Sequence, residues 1–88
     1  EKAARNAAKH GVTFAEAATV FLDAAAIDGP DLMHSASESR RRRLAQSAVG
    51  RLLMVVYTKR SRHDGESIRL ISARSASRRE RAAYATSD

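Results

Sequence analysis

Residues 51–58, RLLMVVYT, constrain this chain more than any other stretch. Leu52 to Val56 place apolar side chains on both faces of an extended segment, and the run is β-branched. Such a run predicts a central strand. Two weaker strand candidates flank it. Residues 40–47, RRRRLAQS, read as coil when taken alone, and residues 67–73, SIRLISA, carry Ile68, Leu70 and Ile71 in an imperfect alternation. Gly50 suits a tight hairpin before the central strand, and 60-RSRHDGE-66 suits a looser one after it.

Helical signals bracket these strands. Residues 1–10, EKAARNAAKH, read as a short Ala-rich helix closed by Gly11. Next, 13-TFAE-16 has the pattern of a capping box, in which Thr13 and Glu16 satisfy each other's backbone N–H groups. The second helix then runs to about Leu22, with Phe14, Ala17, Ala18 and Phe21 on one stripe. The segment 28-DGPDLMHSASES-39 has turn composition and is expected to be a loop. A second capping box, 77-SRRE-80, starts a last helix that runs to about Ala85. The order of elements predicts an α+β domain spanning residues 1–88, with two N-terminal helices and one C-terminal helix packed on an antiparallel sheet.

At 88 residues the chain buries somewhat more than ~60% of its unfolded surface, so its core is thin. No apolar run reaches the ~18 residues of a membrane span, and no signal-peptide pattern is present. Cysteine is absent, which excludes disulfides and thiolate metal sites and suits the cytoplasm. The chain opens on Glu1 rather than Met, and an N-terminal piece is expected to be missing.

Charge is distributed unevenly. Residues 1–39 carry a net of −3 and residues 40–88 a net of +9, and thirteen of the sixteen basic residues are Arg. A basic half of this kind points to a polyanion, most commonly nucleic acid. Arginine's planar fork also matches phosphate geometry. Aromatics make up 5% of the chain and no RNP-like or zinc-finger pattern occurs, which disfavours standard base-stacking and groove-reading modules.

Four stretches, 9-KHGVTFAEAATVFLD-23, 34-HSASESR-40, 50-GRLLMVVYT-58 and 69-RLISARSASRRERAAY-84, together with the spacing from Arg40 to Gly50, resemble the BrnT-type toxins of bacterial toxin–antitoxin pairs. The resemblance implies a RelE-like fold and a small ribonuclease that inhibits translation and growth. It also implies a BrnA-like antitoxin as partner, which supplies the DNA-binding part, so that DNA is met only through the complex. Three departures accompany it, one being that the Arg40–Arg43 run is unusual for the family's third segment. The family's opening strand of the type Phe-x-Trp-Asp has no counterpart here, and Leu44-Ala45 stands where the family tends to have Ile-Gly.

Metal-free RNA cleavage needs a base for the 2′-hydroxyl, cations for the pentacoordinate phosphate and an acid for the 5′-oxygen. Arg74, Arg69 and Arg40 are the phosphate candidates. Arg69 alternates away from Ile68 and Leu70, and Arg74 lies at a strand end just before a helix N-terminus. The structural alternative pairs Arg74 with Glu80 or Glu38. His34 and Glu38 are the candidates for proton transfer, and Glu80 ranks behind them because of its capping role. Lys59, Arg60, Arg78, Arg81 and Tyr84 are candidates for RNA binding, with core packing the stronger reading for Tyr84. His10 suits a helix C-terminus and His63 a turn, and the scattered histidines give no metal motif. No cofactor is implied. The runner-up function is a non-catalytic basic nucleic-acid-binding module or transcriptional corepressor component.

Overall fold

The computed structural model describes residues 2–33 and 39–87. Helix α1 (Lys2–His10) and helix α2 (Phe14–Ala18) are followed by a 3-10 turn (Thr19–Leu22), then by strands β1 (Ile27–Pro30), β2 (Arg40–Gln46), β3 (Leu52–Arg62) and β4 (Gly65–Ser75), and by helix α3 (Arg78–Thr86). The strands form one antiparallel sheet in the order β1-β2-β3-β4. The expected α+β layout is therefore observed, with three helices on a four-stranded sheet among the described residues.

Gly11 ends α1 at a φ of 69°, and its N–H donates to the Ala7 carbonyl at 2.9 Å. A residue with a Cβ would be strained there. Thr13 caps α2 by accepting from the Glu16 N–H at 3.0 Å. Only that half of the first box forms, because the Glu16 carboxylate accepts instead from Ser47 and from the guanidinium of Arg51. The second box forms completely between Ser77 and Glu80. The helix expected to continue to Leu22 tightens into its 3-10 turn after Ala18.

The sheet is longer than its sequence signals. Residues 27–30 pair with Leu44–Arg41 as a short edge strand, where a loop was expected from Asp28 onward. Pro30 is tolerated because it ends an edge strand, where no ladder partner is needed for its nitrogen. β2 forms throughout Arg40–Gln46 although it reads as coil alone. The hairpin between β3 and β4 is tight rather than loose, since Arg62 pairs with Gly65 and only His63 and Asp64 lie between them. Gly50, at a φ of 86°, closes the other hairpin, where its N–H donates to the Ser47 carbonyl.

Both faces of β3 are used, which is why residues 52–56 are apolar throughout. On one face Leu53 and Val55 pack with Val12, Ala17 and Val20 from the N-terminal elements, and with Ala45 and Ala73 from the neighbouring strands. On the other, Leu52 and Met54 join Leu44, Ala76 and Tyr84 of the C-terminal segment. A bulge in β4 shifts the register between Val56–Ser72 and Tyr57–Leu70, leaving Ile71 as the extra residue. That residue lets Leu70 and Ala73, which strict alternation would place on opposite faces, both pack against the first cluster.

Candidate functional site

The run Arg40–Arg43 divides its side chains between the two faces of the sheet. Arg41 and Arg43 turn to the helix-covered side, where Asp28 gathers them. Arg41 Nε donates to Asp28 Oδ1 at 2.9 Å, Arg43 contacts Oδ2 at 3.3 Å, and the Tyr57 hydroxyl also donates to this carboxylate. Arg43 further donates to the carbonyls of Val20 and Asp23, both at 3.0 Å, and its guanidinium sits 5.2 Å from the centre of the Phe21 ring. Burial pushes the Asp28 carboxyl up, but hydrogen bonds from Tyr57, Arg41 and Arg43 outweigh it and hold the group below its ordinary range. These two arginines tie the edge strand to the sheet.

Arg40 and Arg42 point the other way. On that open face the register puts Arg40, Thr58 and Arg69 in one cross-strand row, Arg42, Val56 and Ser72 in the next, and Leu44, Met54 and Arg74 in a third. The three predicted phosphate ligands, Arg40, Arg69 and Arg74, therefore share one face. Arg40, Arg42 and Arg74 surround a groove of about 380 Å³ whose floor includes Met54, Val56 and Ser72. Asp31 also lines it, and it is the one carboxylate to do so among the described residues. Arg42 and Asp31 were not singled out from the sequence. The alternation of Arg40 with Arg42 was the available signal for the first, and it is visible only once residues 40–46 are taken as a strand.

Arg74 is engaged by Glu80 in a two-pronged pair, with Nη1 to Oε1 and Nη2 to Oε2 both at 2.9 Å. Arg42 approaches Oε2 at 3.4 Å, and the Ser77 N–H donates to Oε1 at 2.8 Å. The pairing anticipated as the structural alternative for Arg74 is thus present, with Glu80 as the partner. The Arg74 fork, with burial opposing it and the Ser77 N–H assisting, lowers the Glu80 carboxyl to about 2. A group that weakly basic serves as an anchor for two cations and not as a proton acceptor near neutral pH.

This shift has a stability consequence. The folded carboxyl titrates below its unfolded value of 4.5, so its contribution is complete above pH 4.5 and is lost as the pH falls through about 2. Arg74 is 40% exposed, and solvent screening limits the contribution to about 1–2 kcal/mol. Glu80→Gln is expected to be less stable than the parent at pH 6 and to converge with it toward pH 2, as followed by thermal melts across that range. Parallel curves would show that Glu80 is not the group responsible.

The remaining candidates are more dispersed. His34 and Glu38 lie outside the described residues. Lys59 and Arg60 are exposed where β3 extends past its last pairing with β2, and by alternation only Arg60 shares the face of Thr58. Arg78 and Arg81 are exposed on α3. Tyr84 packs its ring on the second apolar cluster and donates its hydroxyl to Asp23 Oδ2 at 2.6 Å, which is the packing role. Among the described residues no group of His, Asp or Glu could hold a metal ion, and no helix is long and apolar enough to cross a membrane.

A comparison with curated proteins returned no match. A family model does match, over residues 1–80, and it describes the ribonuclease toxin BrnT of type II toxin–antitoxin systems. That span takes in α1, the whole sheet, the three rows of the open face and Glu80, so the chain belongs to the BrnT family of ribonuclease toxins.

Proposed function

We propose that this chain cuts RNA on the open face of its sheet without a metal ion, thereby inhibiting translation and growth in the bacterial cytoplasm. The observation that carries the reading is the gathering of Arg40, Arg42, Arg69 and Arg74 on one face, three of them around a groove floored by Met54, Val56 and Ser72. Guanidinium groups so placed bind phosphate oxygens and stabilise the extra charge of a pentacoordinate phosphorus. In the reaction the 2′-oxygen attacks phosphorus and the P–O5′ bond breaks. The 2′-hydroxyl proton passes to a base and a proton is delivered to the departing 5′-oxygen. Asp31, His34 and Glu38 are the groups from which that base is drawn. Glu80 orients Arg74 and Arg42 and stays ionised.

A BrnA-like antitoxin neutralises the enzyme by covering the same face with an acidic or amphipathic segment, and it brings the complex to DNA. The Arg74–Glu80 fork is the one observation that favours the runner-up, a non-catalytic nucleic-acid-binding module, because it partly neutralises the leading phosphate ligand. Incubating purified protein with total RNA in EDTA separates the two. Cutting that persists in EDTA and leaves 2′,3′-cyclic phosphate ends is expected. Binding with no cutting, or cutting that EDTA stops and magnesium restores, would contradict the proposal.

A further inference from the structure

Thr58 is 4% exposed, yet its hydroxyl has no hydrogen-bond partner among the described residues. A buried hydroxyl left unsatisfied destabilises the fold, because it has given up its bonds to water and gained none in return. Valine has the same shape without that cost, and the residues of β3 that lead up to it, 52–56, are all apolar. The hydroxyl sits at the centre of a cross-strand row, with Arg40 directly opposite on β2 and Arg69 directly opposite on β4. Cα atoms paired in this way lie ~4.5–5.5 Å apart, so two guanidinium-bearing side chains flank one unsatisfied donor. An anion oxygen completes such a set, because it accepts from the hydroxyl and is attracted by both cations.

We propose that Thr58, Arg40 and Arg69 form a phosphate subsite separate from the one at Arg74, with the Thr58 hydroxyl donating to a non-bridging phosphate oxygen. Thr58 and Met54, the β3 residue opposite Arg74, are four residues apart, or ~13 Å along the strand. One phosphate cannot bridge that separation, so the subsite holds a phosphodiester flanking the one at Arg74. The assignment to a polynucleotide rests on the RNA reading above, whereas the anion site itself does not. Arg69 is exposed, and a shift of its flexible stem admits the ligand.

Thr58→Val tests the subsite in two arms. In the first, melting temperatures are measured with inorganic phosphate against chloride of matched ionic strength. Phosphate is expected to raise the wild-type value by mass action, with the increment lost in Thr58→Val and restored in Thr58→Ser. Without phosphate, Thr58→Val is expected to melt no lower than the parent. A large drop there would mean that the hydroxyl has a structural role, and equal phosphate increments would mean that it touches no anion. Either result overturns the proposal.

In the second arm, a single-stranded RNA and its DNA counterpart are titrated against each protein. Thr58→Val is expected to weaken both by about tenfold, since phosphate is common to them. Weakening confined to RNA, or none, would overturn the phosphate assignment. If the wild type binds neither strand while the phosphate difference persists, the anion site stands and the RNA reading falls.

Discussion

Asn6→Ala is expected to lower the melting temperature of this chain by roughly 12–24 °C, the equivalent of about 3 kcal/mol in a domain of this size. Asn6 is 6% exposed, and its carboxamide satisfies three backbone groups at once. Its Nδ2 donates to the carbonyls of Val12 and Ala73, both at 2.8 Å, and its Oδ1 accepts from the Ala73 N–H at 2.9 Å. Ala73 faces the core from the outer strand of the sheet, so the amide stands in for the strand that β4 lacks on that side. Alanine would leave two carbonyls and one N–H buried without partners, each at a cost of about 1 kcal/mol or more. Asn6→Asp is expected to be nearly as damaging, because a carboxylate cannot donate to either carbonyl. Thermal melts of both variants check this. A loss under 5 °C in Asn6→Ala would mean that solvent or a shifted helix replaces the amide.

Nothing in the sequence flagged Asn6 beyond its position in the middle of an Ala-rich helix, where a poor helix former has no local reason to be. Other features were legible for definite physical reasons. The 52–56 run had to be central because it is apolar on both faces, and the Ser77 box identified the start of α3 through purely local hydrogen bonds. β2 was hard to read because four successive arginines erase alternation. Both faces take arginine, one pair for Asp28 and the other for the open groove, so a binary pattern carries no signal. β1 was hidden by Asp-Gly-Pro, which has turn composition but is acceptable on an edge strand. The imperfect alternation of residues 67–73 reflects the bulge at Ile71. Of the site, the candidate phosphate ligands Arg40, Arg69 and Arg74 could be named one by one. Their shared face depended on a register that no local signal gives. Glu80 was one of two partners, with Glu38, in the structural alternative for Arg74, and its capping role holds it near the end of β4.

Arg74→Ala is expected to reduce RNA cutting by about 10²–10³-fold, the usual cost of removing a preorganised cation or donor from the transition state. The same variant loses a partly exposed ion pair worth about 1 kcal/mol, too little to unfold the chain. Arg74→Lys is expected to recover only a small part of the activity, because an ammonium cannot reproduce the fork that Glu80 holds in place. RNA affinity should fall far less than turnover, since Arg40, Arg42 and Arg69 remain on the face. The most direct test is therefore a side-by-side cleavage assay in EDTA of the wild type, Arg74→Ala, and Arg79→Ala on the exposed surface of α3. Cutting that is lost in Arg74→Ala and retained in Arg79→Ala would locate the chemistry on the open face. Equal cutting by all three would contradict it.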